Sequence, residues 1–407
     1  MPASLVAPHR LAAAAARWHR TGRWTPQALA AALGRLEIVV KSSDNPHFMY
    51  VAEGRSDLLA DGKRVERRTL RASEFFGALA EPAPPYLYYT EPVRSLGDGS
   101  LLEHAPGWHE LVPPDAADEP SWLQLWAGSA GARTQAHYDV ADNTFVQMHG
   151  EKEFLLWPPS AAAAMHVYPD SHPRARKAQV DVEAPDLSRH PNAAALPPPQ
   201  RVHLCPGDAL FVPAFWFHHV RALSPSISLN VFSESPIKRA AAAALAAPPP
   251  LHDAWPAPLN RRALEHLLRT TFAKIGDGLG DAPPAPAAFV AEMLAARFAP
   301  LAAEEDAPTD APPPQGRRRR APPVASWDDL EPALDAHAEE CASAFARLRD
   351  AARRRAAATD DDDAAAADEY AAGVAQLTAA HLVELLALRA FGPVSYTHLT
   401  LPTILLV

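Results

Sequence analysis

From Glu37 onward the chain breaks into short β-type runs: "EIVVKS", "HFMYVAE", "YLYYTEPV", "SWLQLWAG", "NTFVQMHG", "KEFLLWPP", "ALFVPAFWFHHV" and "SISLNVFSE". Glycine and proline turns separate them. A short strand rich in Val, Phe, Tyr and Trp is not stable alone, and many of them in series bury their apolar faces only by pairing and stacking. The pattern predicts a mainly β core, a sandwich or barrel.

Helices flank this core. Residues 1 to about 35 read as helical, in "LAAAAARWHR" and "TPQALAAALGRL", with Thr25 as N-cap, Pro26 at the first helical position and Gly34 closing the second helix. After the β runs, "LNRRALEHLLRTTFAKI" (259–275) and "APAAFVAEMLAARFA" (285–299) carry apolar residues at helical spacing. A stretch rich in proline, acid and arginine follows, with too little hydrophobic content to fold alone. Two further helical segments, "WDDLEPALDAHAEECASAFARLRDAARRR" and "EYAAGVAQLTAAHLVELLALRAF", are interrupted by the acidic run at 360–363. The closing "SYTHLTLPTILLV" resembles translated adapter read-through, so 394–407 is expected to be a non-native tail.

Charge and cysteine content narrow the chemistry. The net charge of −10 is spread over blocks of both signs, which implies no general polyanion-binding surface and leaves only a local basic patch for such a partner. The chain holds 2 cysteines, Cys205 and Cys341, too few for a disulfide framework or a thiolate cluster. A metal site must therefore use histidine and carboxylate. The alanine stretches are cut by Pro, Arg or Asp before reaching the roughly 20 apolar residues of a membrane span, so no membrane association is expected. The expected location is cytoplasmic, with nuclear as an alternative. The first acidic residue is Glu37, and the Arg/Ala-rich stretch before it reads either as an organelle transit peptide or as a surface helix.

The H-x-D/E pattern occurs at His137/Asp139, His149/Glu151 and His337/Glu339. On a strand, residues i and i+2 point to one face, which suits the first pair. His149 abuts Gly150 in a turn, and His337 lies in a predicted helix, where i and i+2 diverge. A non-haem Fe(II) oxygenase needs two histidines and one carboxylate on one face of the metal. The third ligand should come from a later strand. In "PGDALFVPAFWFHHV" a turn at Pro206-Gly207-Asp208 leads into one apolar strand that ends at His218 and His219.

"TQAHYDVADNTFVQMHGEKEFLLWPP" together with "PGDALFVPAFWFHHV" resembles the JmjC and cupin-like 2-oxoglutarate oxygenases. The resemblance implies a double-stranded β-helix, a jelly roll, followed by a C-terminal helical region. It implies Fe(II), the cosubstrate 2-oxoglutarate and molecular oxygen. Carried over by position, His137, Asp139 and His218 would bind the metal and act as the catalytic centre, with His219 as a neighbour behind them. Lys152 would pair with the distal carboxylate of 2-oxoglutarate, assisted by Thr134. Asn143 and Asn230 would lie beside the cosubstrate, Phe145 would form a pocket wall, and one of Tyr86, Tyr88 and Tyr89 could touch it.

"GRWTPQALAA", "EPVRSLGDG" and "APAAFVAEMLAARFAP" resemble the branch that hydroxylates the wybutosine-type guanosine of phenylalanine tRNA. That resemblance implies a tRNA substrate and a homodimer. Arg174, Arg176 and Lys177, Arg261 and Arg262, and the run Arg317 to Arg320 would be its basic path, or else a solvated loop and linker. "HVYPDSHPRARKAQVDVEAPDLSRHP" also resembles asparaginyl hydroxylases, which leaves a protein hydroxylase or demethylase as the alternative. A non-catalytic cupin-like binding module is the third reading. The expected organisation is an N-terminal helical and strand segment packed on the barrel (1–100), a JmjC/cupin catalytic core (101–240), a helical dimerisation segment (250–303), a disordered linker (304–325), a helical appendage (326–393) and the tail.

Overall fold

A computed structural model describes residues 4–11, 16–48, 65–79, 85–118, 120–279, 285–303, 326–357 and 364–391. The arginine run at 317–320, the 304–325 linker and the 394–407 tail lie outside the described residues. The chain opens with β1 (His9–Leu11), α1 (Ala16–His19), α2 (Pro26–Leu33), β2 (Glu37–Ser43), β3 (His47–Phe48), β4 (Glu66–Arg71), α3 (Ala72–Ala78) and β5 (Tyr86–Pro92). Eight strands follow: β6 (Ser121–Gly128), β7 (Arg133–Tyr138), β8 (Asp142–His149), β9 (Lys152–Trp157), β10 (Gln200–Leu204), β11 (Ala209–Val212), β12 (Phe217–Ala222) and β13 (Ser226–Ser233). The helices α4 (Pro236–Ala246), α5 (Ala257–Ile275), α6 (Pro286–Arg297), α7 (Trp327–Ala357) and α8 (Ala364–Phe391) complete it.

Strands β6 to β13 are divided between two facing sheets. The larger sheet runs β1-β11-β8-β13-β6-β5-β2-β4 and the smaller β10-β9-β12-β7-β3 among the described residues, antiparallel except for the β3–β7 pair. Strands 6, 8, 11 and 13 in one sheet and 7, 9, 10 and 12 in the other make a double-stranded β-helix, the jelly roll the sequence predicts.

The period-2 alternation divides the apolar residues into three layers. Leu123, Leu125, Ile227, Leu229 and Val231 face outward from the larger sheet and bury against α2 and α3. Phe145, Phe154, Leu156, Val202, Leu204, Leu210 and Val212 fill the space between the sheets. Ala136, Tyr138, Leu155, Trp157 and Phe217 face outward from the smaller sheet, where α4 to α8 cover them.

Several elements differ from the sequence reading. "ALFVPAFWFHHV" is not one strand ending at the histidines: β11 stops at Val212, residues 213–216 turn, and β12 begins at Phe217 in the opposite sheet. Pro213 offers no backbone donor to a ladder, and Phe215 takes φ +67°, which an extended strand excludes. The N-terminal strands β2, β4 and β5 extend the larger sheet edge to edge. Strand β4, "ERRTLR", shows no apolar alternation because it is the sheet's charged outer edge.

Helix α8 also departs from expectation. It is 28 residues long and apolar enough by length and composition to cross a membrane, yet most of its apolar stretch is buried inside the protein. Its apolar residues pack against the smaller sheet's helical layer, and α5 and α6 bury their own apolar faces in the same layer, within one chain.

The predicted caps of α2 are in place. The Thr25 side chain accepts from the Ala28 N–H at 3.2 Å, Pro26 occupies the first turn, and Gly34 takes φ 41° at the end. Thr25→Ala removes the acceptor and is expected to cost about 1 kcal/mol, read as a lowered melting temperature with unchanged metal binding.

Candidate metal centre

Strands β7 and β12 are neighbours in the smaller sheet, and their register pairs His137 directly with His218. Asp139 follows the end of β7. The ring centroids of the two histidines lie 4.2 Å apart, His218 Nε2 is 3.6 Å from Asp139 Oδ2, and one ligand atom of each of the three residues lies within 4.8 Å of the others.

The ring nitrogens are already sorted. His137 Nδ1 is 2.8 Å from the Gln135 carbonyl oxygen and His218 Nδ1 is 3.1 Å from that of Trp216. A carbonyl only accepts, so each Nδ1 carries the proton and donates it, which leaves each Nε2 with a lone pair. Burial, with the nearby His218 second, pushes His137 down to about 3. Protons therefore compete weakly for that nitrogen near neutral pH. Two imidazoles and a carboxylate on one side fit a divalent transition metal such as Fe(II), with positions left for other ligands.

Strict alternation would put Thr134, three residues before His137, on the opposite face of β7. It does not, because the register shifts by one residue between His218/Val220 of β12 and the β7 residues facing them. Val220 then pairs with Thr134. His218 and Val220 share a face, so their partners His137 and Thr134 share it too. The bulge re-aims the threonine into the interior.

Lys152 opens β9 opposite Ala222 and Leu204, on the same inner face as Phe154 and Leu156. It is 4% exposed, and its Nζ sits 5.0 Å from the centre of the Phe145 ring. Burial alone pulls its pKa down to about 7. Among the described residues no carboxylate pairs with it. A desolvated ammonium without a counter-charge is costly, and a bound anion would relieve that cost.

Asn230 Nδ2 donates to Asn143 Oδ1 at 2.9 Å, and Trp126 Nε1 donates to Asn230 Oδ1 at 2.5 Å. Phe145, two residues on from Asn143 and paired with Asn230, belongs to this inner wall and packs edge-on against Phe154 of the opposite sheet. Trp126 was not among the sequence candidates. Its signal is the alternation of β6, where Trp122, Gln124 and Trp126 take one face and Leu123 and Leu125 the other. Of the three tyrosines, Tyr88 stacks on Phe48 and faces Trp126, whereas Tyr89 points the other way onto Phe75.

Two expectations need correction. His219 does not stand behind the metal ligands. One residue on from His218, it faces the outer side of β12, buried 3.7 Å from Glu183. The loop cations are only partly a solvated loop: Arg176 is exposed, Arg174 lies over the Tyr168 ring, and Lys177 is buried with its pKa lowered by burial to about 8. Arg262 stacks on Trp327 at 3.7 Å. Lys41, absent from the sequence candidates, is lowered to about 7 by burial and by its neighbours Arg67 and Lys177. Lys177 also senses Asp139.

The jelly roll with a His-Asp-His cluster inside defines a cupin-type barrel of the JmjC kind. The profile of the cupin-like domain family matches residues 7–239, and the chain belongs to that family. It is 31% identical to tRNA wybutosine-synthesizing protein 5 of Danio rerio over 225 residues, 51% of this chain and 63% of that protein. It is 34% identical to lysine-specific demethylase JMJ31 of Arabidopsis thaliana over 116 residues, 28% and 21% of the two chains. To lysine-specific demethylase 8 of Xenopus tropicalis it is 32% identical over 143 residues, 33% and 32% of the two. The chain thus spans less than two thirds of the length of these relatives.

Proposed function

We propose that this protein is an Fe(II)- and 2-oxoglutarate-dependent oxygenase, and that it hydroxylates the wybutosine-type modified guanosine of phenylalanine tRNA. The observation that carries the first part is that His137, Asp139 and His218 share one barrel with the buried cation Lys152, which no carboxylate pairs among the described residues. An idle barrel has no physical reason to bury an unpaired ammonium.

His137 Nε2, His218 Nε2 and the Asp139 carboxylate would hold Fe(II). When bound, the metal supplies oxygen activation, so that substrate C–H, O₂ and 2-oxoglutarate become C–OH, succinate and CO₂. The remaining tasks fall to side chains. Lys152 pairs with the far carboxylate of the cosubstrate, and the Thr134 hydroxyl donates to the same group. Phe145, Phe154, Val212 and Val220 exclude water around it. Asn143 and Asn230 hold one another rigid along the wall.

Two observations support the tRNA part. The match to the wybutosine relative covers 225 residues, about twice the β6–β13 span, whereas the demethylase matches cover 116 and 143. Lys41, Arg67, Arg176 and Lys177 also gather positive charge on the Asp139 side of the site, in a chain that is acidic as a whole. The test is anaerobic loading with Fe(II) and 2-oxoglutarate, followed by oxygen, with and without phenylalanine tRNA carrying the unhydroxylated precursor. Succinate stimulated by that tRNA, with one oxygen atom gained by the base, is the expected result. Succinate stimulated only by a peptide would replace the tRNA with a protein substrate, and none under any condition would leave a binding module.

A further inference from the structure

Asp139 reaches the metal centre from the loop between β7 and β8 and His218 from the start of β12, just after the turn 213–216, and something must hold that loop and that turn in register. The loop before β8 carries Asp139 and leads to Asp142. The turn before β12 is 213–216 and leads to His218. The Asp142 side chain is fully buried, and its Oδ1 accepts from the Ala214 N–H at 2.9 Å. The Phe215 N–H donates to the Asp139 carbonyl at 2.6 Å, although Phe215 holds a φ of +67°, which is uncommon for a bulky side chain. These two bonds tie the turns together directly.

The C-terminal helices close the arrangement from outside. Arg355 of α7 is 2% exposed and grips Asp142 with both ends of its guanidinium, NH1 to Oδ1 at 3.1 Å and NH2 to Oδ2 at 2.7 Å. The same guanidinium reaches Ser235 Oγ at 3.0 Å, where β13 passes into α4, and Asp115 Oδ2 at 2.8 Å. From α8, Tyr370 donates its hydroxyl proton to the Ala214 carbonyl at 2.8 Å. Ala214 is therefore held at its N–H by Asp142 and at its carbonyl by Tyr370.

We propose, building on the metal-centre reading above, that Arg355 and Tyr370 are positioning residues, and that through them the α7–α8 hairpin sets the spacing of Asp139 and His218 and so the affinity of the metal site. A planar, permanently charged bidentate fork suits this work, because it fixes both carboxylate oxygens of Asp142 at once. A lysine supplies the charge without the second contact. The hairpin thus acts at the centre without touching the metal or the cosubstrate.

The test uses the full chain and Co(II) as a redox-stable visible-absorption probe of the site. Arg355→Lys and Tyr370→Phe are compared with wild type and with Leu348→Ala, a core truncation at a fully covered α7 position on the helix layer. The expected result is a Co(II) affinity about 10- to 100-fold weaker in Arg355→Lys and weaker in the same direction in Tyr370→Phe, the range for lost outer partners of metal ligands. Leu348→Ala should lose thermal stability and bind Co(II) as wild type does. If Arg355→Lys fails to fold, the isosteric Tyr370→Phe decides alone. Wild-type affinity in the folded variants, or an equal loss in Leu348→Ala, overturns the positioning role while leaving the metal centre intact. No Co(II) binding by the wild type overturns the metal-centre reading and this inference with it.

Discussion

His137→Ala and Asp139→Ala are each expected to abolish turnover and to weaken metal binding by at least about 100-fold, the upper end of what loss of a mere outer partner costs, while the barrel stays folded. The reason lies in what each side chain does without a metal. Asp139 is partly exposed and, among the described residues, makes no ion pair besides its approach to His218 at 3.6 Å. His137 makes one hydrogen bond to its own strand. Neither belongs to the apolar layer between the sheets, which Phe145, Phe154, Leu156, Val202, Leu204, Leu210 and Val212 supply. Melting temperature in metal-free buffer should therefore change little in either variant. Loss of the folded far-ultraviolet signal together with activity would point to a structural role instead.

Lys152→Met separates binding from stability even more sharply. The methionine removes the cation opposite the far carboxylate, so 2-oxoglutarate should bind between about 30-fold and several thousandfold more weakly, the range for truncating one partner of a buried charged pair. The same change should raise the stability of the unliganded protein. Burial holds the folded pKa near 7, below the unfolded value of 10.5. The lysine therefore costs nothing above pH 10.5, where it is neutral in both states. Its cost grows by on the order of 1.4 kcal/mol for each pH step of one as pH falls from there towards about 7, and it is constant below. The stability gained by Lys152→Met should follow that curve in denaturant titrations from pH 6 to pH 10. A variant that is less stable than wild type at pH 7 would contradict an unpaired buried lysine. Because only the ammonium form attracts the cosubstrate, wild-type affinity should also decline as pH rises above about 7.

Much of this site is local and periodic, which is why it reads from the sequence. His137 and Asp139 share a face by alternation, Lys152 begins a strand with an inner side, and the short apolar runs require two sheets. What the sequence hides is what depends on non-local register. Thr134 sits on the metal's face only because β7 carries an extra residue opposite His219. The division of "ALFVPAFWFHHV" into β11 and β12 depends on a turn whose strain at Phe215 is sustained by Asp139, Asp142 and Tyr370. Two of those contacts come from residues within three positions of a predicted ligand, yet the third lies 156 residues away in a helix that sequence reading places in an appendage. Likewise α8 has membrane-like composition, and only the packing of α4, α5 and α7 around it shows it to be a core helix.

The central claim is that one cluster, His137, Asp139 and His218, performs metal-dependent turnover of 2-oxoglutarate. The most direct measurement is a single-turnover experiment in which protein loaded anaerobically with 2-oxoglutarate, phenylalanine tRNA precursor and either Fe(II) or a chelator is exposed to oxygen and succinate is quantified. The account predicts succinate from wild type with Fe(II), none with chelator, and none from His137→Ala or Asp139→Ala. Succinate at the wild-type level from either variant, or undiminished by the chelator, would contradict it.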